Sequence, residues 1–269
     1  MIATPRDGKD SRFKIGDAVF GAAQGAYAEV IACHAAALLP VPRGWAWEEA
    51  AGLYVTAPTA YGALVTRAGV QRGEWVLVHA AAGGVSLSAI QIAKALGATV
   101  VATAGSAYKL NIAKQFGADH LVDYTDPTWP ETVGQLLKTH KKRGIDIVFD
   151  PVGLLNPSLK VANWNARLLV VGFAGGEIEK VAANRVLLKN VSIVGIHWGQ
   201  YSLYEPGTVP KVWEGIFALI DKGQFKPTVY RDKEYVGLED VKHALKALGN
   251  RETWGKVVVK LPLGGGPML

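Results

Sequence analysis

The stretch from Glu74 to Ala98, EWVLVHAAAGGVSLSAIQIAKALGA, constrains the fold more than any other part of the chain. Trp75 to Val78 is a short, β-rich apolar run of the kind that lies buried on both faces of a parallel sheet. Gly83 and Gly84 offer a sharp turn with no side chain in a ligand's way. Leu87, Ile90, Ile92 and Leu96, with the alanines between them, give a largely apolar helix, and Gly97 stands where it can close that helix as a C′ residue. Thr99 to Thr103 then supplies a second strand and completes a βαβ unit. A helix that starts at such a turn presents unpaired N–H groups and its positive dipole end, which favours a phosphate. The spacing Ala80-x-x-Gly83-x-x-Ser86 is a small-residue variant of the dinucleotide fingerprint. An ordinary strand-to-helix turn is the other reading, and the strand and helix units that follow favour a doubly wound fold.

The chain has 269 residues, enough for one large or two modest domains, and its 49% apolar and 19% charged composition supports a sizeable core. No apolar run approaches the roughly 20 residues of a membrane helix, and the polar start MIATPRDGKDSRFK is not a secretory signal. A single cysteine, Cys33, excludes an internal disulfide and suits a reducing, cytoplasmic setting. The net charge of +6 raises the question of nucleic acid. The one dense basic run, Lys138 to Arg143, follows a helix and precedes a strand, so it reads as a solvated helix end. An anionic cofactor is the better partner for the remaining scattered cations.

Along the chain, residues 1–44 read as β-rich, with Phe13 to Gly21 carrying a Gly-Asp turn and Gly25 to His34 alternating as a short strand. Cys33 and His34 are adjacent, so on a strand they point to opposite faces and do not form a metal site. Trp45 to Val70 reads as two helical pieces, the second opened by Pro58. Further parallel strands are expected at Leu121–Tyr124, Asp146–Phe149, Arg167–Phe173 and Val191–Trp198. Helices are expected at Lys109–Phe116, Trp129–Thr139, Pro157–Trp164, Val209–Lys222 and Leu238–Leu248. Lys256 to Leu261 reads as a closing strand, and the tail GGGPML as flexible. The expected domains are 1–57, 58–198 as the coenzyme-binding core, and 199–269 as a helix completing that core followed by the second part of the first domain.

The pieces FKIGDAVFG, GAYAEV, WEEAAGL, TAYGAL, VLVHAAAGGVS, QIAKALGATVVATAGS, GADHLVDY, GIDIVFDPVG, RLLVVGFAGGEI, LLKNVSIVGI and WGKVVV run in order from Phe13 to Val259. Together they resemble the zinc-independent quinone oxidoreductases, the zeta-crystallin-like branch of the medium-chain dehydrogenase/reductase superfamily. The resemblance implies an α/β fold: a Rossmann doubly wound parallel sheet plus a GroES-like β-rich catalytic domain split in sequence. It also implies hydride transfer from NADPH to a quinone or an α,β-unsaturated carbonyl. Family members begin well upstream of FKIGDAVFG, so the GroES-like domain is expected to be partial here. Ser86 stands where the family has a third glycine, and only a small shift is expected from it.

The residues speak to the cofactor as well. An NAD site places an Asp or Glu at the end of the second strand, whereas Ala102 to Ser106 carry no acid and Lys109 follows one turn later. A cation there suits a 2′-phosphate; a solvated helix lysine is the plain alternative. By the resemblance, Ser106, Lys109 and Tyr124 contact that phosphate, and Ala82, Gly83, Gly84 and Val85 meet the pyrophosphate. Thr59, Val152, Phe173, Ile196 and Lys256 then lie near the ribose or nicotinamide. For Val152, Phe173 and Ile196 strand-end core is the competing reading. His79 reads as a packed, hydrogen-bonded histidine, His120 and His140 as solvated, and Tyr54 and Tyr61 as packing, so no general acid is assigned. With the cofactor carrying the chemistry, solvent can supply the proton.

One cysteine and no His-Glu pair argue against zinc, and Leu53 to Thr56 lack the cysteine that precedes the T-A-Y segment in zinc-dependent relatives. The resemblance also implies a homodimer through Val191–Trp198, with no membrane or nucleic-acid partner. Two other functions stay open: an NADPH-binding, catalytically weak protein with a structural or RNA-binding role, and a zinc alcohol dehydrogenase.

Overall fold

The computed structural model describes residues 12–262. The polar N-terminal residues and the GGGPML tail expected to be flexible lie outside them. The described residues form two compact units: one from residues 12–55 and 227–262, the other from residues 56–226. In chain order, the first unit opens with strands β1 (Val19–Gly21) and β2 (Leu38–Pro40) and helix α1 (Trp47–Ala51). The larger unit follows with α2 (Thr56–Tyr61), β3 (Trp75–Val78), α3 (Gly84–Ala95), β4 (Thr99–Ala104), α4 (Ala107–Gln115), β5 (His120–Asp123) and α5 (Trp129–Thr139). It continues with β6 (Ile145–Asp150), α6 (Leu155–Val161), β7 (Ala162–Val170), α7 (Ala183–Lys189), β8 (Ser192–Gly195), α8 (Tyr201–Tyr204) and α9 (Thr208–Asp221). The chain then returns to the first unit with β9 (Tyr235–Val236), α10 (Val241–Gly249) and β10 (Val259–Lys260).

The larger unit is built on a six-stranded parallel sheet in the order β5-β4-β3-β6-β7-β8. The order reverses between β3 and β6, and in open α/β sheets ligands bind beyond the carboxyl ends of the strands at that crevice. All of Trp75 to Val78 is buried, as the apolar run requires of a central strand covered on both faces. On one face, α5 and α6 bring Trp129, Val133, Leu137, Leu155 and Leu159 onto Leu77, Val101, Val148 and Leu168. Helix α3 is buried along most of its length and ends at Gly97, whose φ of +84° suits a C′ glycine.

The smaller unit holds two separate two-stranded pieces, β1–β2 antiparallel and β9–β10 parallel. Small apolar clusters sit on each, Phe13, Val19 and Leu38 on the first, and Tyr235, Ala244 and Ala247 on the second. A turn at Gly16 precedes β1, closed by the Asp17 carboxylate accepting from Lys14 N–H at 2.6 Å.

Three expectations are corrected. Gly25 to His34 form no strand: the segment finds no pairing partner among the described residues, and Tyr27 and Val30 stand exposed. The helix expected to reach Trp164 ends at Val161. Strand β7 starts at Ala162, paired with Ile145, because the sheet extends past an irregularity in the β6–β7 register. The closing strand narrows to Val259–Lys260, with Lys256 making only an isolated bridge to Val229. Helix α7 has no fully buried residue, and no apolar periodicity in the sequence marks it. No helix among the described residues is long and apolar enough to cross a membrane.

Candidate coenzyme site

The site in the larger unit is built where β3 passes into α3. His79 N–H donates to Phe149 O at 3.0 Å and Ala81 N–H to Thr103 O at 2.8 Å, so the chain beyond β3 stays tied to both neighbouring strands. The turn itself runs through Ala80, which takes a left-handed φ of 45°. Gly83 is extended (φ −74°, ψ 151°) and serves as the N-cap. The left-handed residue of the turn is thus Ala80, and Gly83 matters for space: a Cβ there would stand 3.3 Å from Ala80 O. Its own N–H donates to that same oxygen at 2.8 Å.

The first intrahelical bond of α3 is Leu87 N–H to Gly83 O. Gly84, Val85 and Ser86 occupy the positions whose N–H groups have no acceptor within a helix, at the positive end of the helix dipole. Ser86 shows how a serine takes the place of a glycine. Its side chain is buried, and its hydroxyl donates to His79 O at 2.8 Å, stapling the start of the helix to the end of the strand.

Beneath this turn lies a buried polar network. The Ser158 hydroxyl donates to Leu154 O at 2.6 Å, so toward the His79 Nε2, 2.8 Å away, it acts as acceptor. His79 therefore carries its proton on Nε2, and its Nδ1 accepts from the Thr103 hydroxyl at 2.8 Å. Burial of the ring, opposed only in part by the nearby Asp150 carboxylate, pushes its pKa from 6.5 down to about 4. His79 is thus the packed, hydrogen-bonded histidine expected. Asp150, at the end of β6, accepts from the N–H groups of Val152, Gly153 and Leu154 at 2.9, 2.8 and 2.5 Å and winds the following loop around itself. That loop is laced to residues 171–176 by Ala174 N–H to Pro151 O and Gly175 N–H to Val152 O, both 3.0 Å. Gly175 permits the approach, because a Cβ there would meet Val152 O at 2.6 Å.

Ser106, Lys109 and Tyr124 come together beside β4. Ser106 caps α4, its Oγ accepting from Lys109 N–H at 3.3 Å. Tyr124 N–H donates to Ala104 O at 3.3 Å, and its ring lies 3.5 Å from where a Cβ on Gly105 would be. No acidic residue follows β4 before α4. The acid at the end of β5, Asp123, is engaged by the Thr125 N–H and hydroxyl, which hold its carboxyl below the usual range.

On the other side of the crevice Val152 is half-buried and Phe173 exposed, so Phe173 is not core. Ile196 is buried against Gly62, with its N–H bonded to Val170 O at 3.1 Å. Thr59 is half-buried on α2. Lys256 belongs to the smaller unit, where its N–H donates to Thr228 O at 2.7 Å. Sequence reasoning missed the Asp150 nest, although Asp-Pro-x-Gly is a turn signature whose carboxylate caps its own following N–H groups. It also missed the His79–Ser158 bond, which joins residues 79 apart.

The family described as "Zinc-binding dehydrogenase" matches residues 84–218. Among curated proteins, the chain is 37% identical over 227 residues to bovine quinone oxidoreductase-like protein 2, covering 83% of this chain and 63% of the relative. It is 30% identical over 266 residues to bovine prostaglandin reductase-3, covering 93% of this chain and 68% of the relative. The chain thus spans about two thirds of the length of these relatives. Among solved structures, the Escherichia coli quinone oxidoreductase complexed with NADPH aligns with a TM-score of 0.80 at 27% identity, over 93% of this chain and 77% of that one.

The His79 network makes stability depend on pH with a definite sign. The unfolded imidazole takes its proton near pH 6.5 and the folded one only near pH 4, so between those values the unfolded state holds the extra proton. The contribution is intact above pH 6.5 and is lost as pH falls to 4, about 3 kcal/mol in all. Urea midpoints measured from pH 7 to 4 should fall steeply in the wild type and less steeply in His79→Gln. An identical pH slope in the two proteins would contradict the buried neutral imidazole.

Proposed function

We infer the activity from one premise: the chain belongs to the quinone oxidoreductase-like proteins, a zinc-independent branch of the medium-chain dehydrogenase/reductase superfamily. We propose that it is a reductase that transfers hydride from NADPH to a quinone or an α,β-unsaturated carbonyl. The observation that carries the reading is the pairing of two anion-binding features beside β3 and β4: the open N–H groups of Gly84, Val85 and Ser86, and the cluster of Ser106, Lys109 and Tyr124 where an NAD site would place a carboxylate. The donor set fits a dinucleotide carrying a 2′-phosphate.

In this reading Ala82, Gly83, Gly84 and Val85 hold the pyrophosphate through backbone N–H groups. Ser106 offers its hydroxyl, Lys109 its charge and Tyr124 its phenol to the 2′-phosphate. Thr59, Val152, Phe173 and Ile196 border the ribose and nicotinamide. When bound, the coenzyme supplies the hydride; the protein's part is to bind it, orient it and exclude water, with solvent providing the balancing proton. His79 is no candidate for proton transfer, since both ring nitrogens are engaged in the interior. The mixture of quinone oxidoreductase-like and prostaglandin reductase relatives supports an acceptor class of conjugated carbonyls.

Protein mixed with NADPH and a quinone or enone should show loss of the nicotinamide absorbance. Tight coenzyme binding without oxidation would favour an NADPH-binding protein with little catalysis. A hydrogen bond to a charged group contributes roughly 1.5–3 kcal/mol, so Lys109→Ala should weaken NADPH binding about ten- to a hundredfold and leave NADH nearly unchanged. Equal losses for both coenzymes, or a wild-type preference for NADH, would remove Lys109 from the 2′-phosphate.

We also propose a homodimer through the edge of the sheet. Strand β8 pairs with β7 on one side, and no described strand pairs with its other side. Leu187 and Leu188 on the adjoining α7 are 76% and 74% exposed, and Ile193 on the strand is partly so. An unpaired apolar edge is a template for a second copy, related by a two-fold axis. Light scattering at micromolar concentration should give twice the chain mass of 28.7 kDa; a monomer would contradict the assignment.

A further inference from the structure

The basic run Lys138 to Arg143, expected as a solvated helix end, lines a cleft with a second element. Lys138 near the end of α5, Lys142 and Arg143 in the loop that follows, and Lys160 near the end of α6 surround a space of about 290 Å³. One carboxylate, Glu131, faces these four cations, paired with Lys160 at 3.4 Å. Lys142 reaches only Gly73 O, at 3.5 Å. The side chains of Lys138 and Arg143 have no ion-pair or hydrogen-bond partner among the described residues. The helix dipole accounts for Lys138 and Lys160, each in the last turn of its helix. It does not account for Lys142 and Arg143, which stand beyond the helix and share the same cleft. The floor is apolar, formed by the buried Leu137 and Val161.

We propose that this cleft is a second anion site in the larger unit, separate from the coenzyme site, and that it takes a small ligand bearing a polyphosphate chain. The excess of three positive charges over a small apolar floor matches the several closely spaced charges of a triphosphate, and a guanidinium next to lysines offers paired donors to phosphate oxygens. The volume is of the order that a small anionic ligand needs. A nucleoside triphosphate and an inorganic polyphosphate share this chemistry, and the floor decides between them: a base resting on Leu137 and Val161 would make the nucleotide the tighter ligand.

The test is calorimetric titration of the full chain with tripolyphosphate, ATP and adenosine, each in the absence of NADPH and at saturating NADPH. Wild type should bind tripolyphosphate and ATP in both conditions, with affinity falling as salt rises, and adenosine alone should not bind. ATP binding more tightly than tripolyphosphate assigns a nucleotide; equal affinity assigns the phosphate chain alone. The double variant Lys138→Glu/Arg143→Glu should lose tenfold or more in affinity. The charge-matched control Lys242→Glu/Lys246→Glu, on α10 of the smaller unit, should bind as wild type. Complete displacement of both probes by NADPH, binding unchanged in the double variant, or binding of an RNA oligonucleotide but not of tripolyphosphate would each overturn the proposal.

Discussion

The 2.8 Å hydrogen bond from the Ser86 hydroxyl to the carbonyl of His79 joins the first turn of α3 to the last residue tied into the central strand. Much of the larger unit depends on that junction. It fixes the direction in which the unpaired N–H groups of Gly84, Val85 and Ser86 point. It is also anchored from below, because the side chain of the same His79 is held between Thr103 on β4 and Ser158 on α6. One residue therefore ties the helix start, the second strand of the βαβ unit and a helix from the far half of the sheet. A buried imidazole with both nitrogens satisfied costs little, whereas loss of either partner would leave an unpaired polar group in the core.

The same economy recurs on the far side of the strand-order reversal. Asp150 is a buried carboxylate whose burial is offset by three backbone N–H groups of its own loop. Glu179 does comparable work for the start of α6, accepting from the N–H groups of Leu155 and Asn156 and from the Asn156 side chain. The loops beyond the carboxyl ends of the strands are thus shaped by acids that turn inward.

The parts of this arrangement that were legible in the sequence are those set by local physics. The apolar run Trp75–Val78, the helix ending at Gly97 and the absence of an acid after β4 need only spacing and composition to be read. The parts that were not legible depend on partners distant in sequence. Gly25 to His34 has the alternation of a strand but no neighbour to pair with. Strand β7 begins at Ala162 because Ile145 is there to receive it. No residue of helix α7 is fully buried, and it leaves no periodic trace. At the site itself, the left-handed residue is Ala80 rather than a glycine, which no propensity would select. Ser86, from which only a small shift is expected, adds a bond from its hydroxyl to His79 O.

In the proposed coenzyme site, the α3 N-terminus and the Ser106–Lys109–Tyr124 cluster receive one ligand together. Backbone amide chemical shifts of the full chain, followed by NMR through a titration with NADPH, test it most directly. Gly84, Val85, Ser86, Ser106 and Tyr124 should shift most and in parallel, with NADP⁺ and NADPH alike, while NADH moves the first three and leaves Ser106 and Tyr124 nearly in place. Shifts confined to other surfaces, or the same response at Ser106 and Tyr124 to NADH as to NADPH, would contradict it.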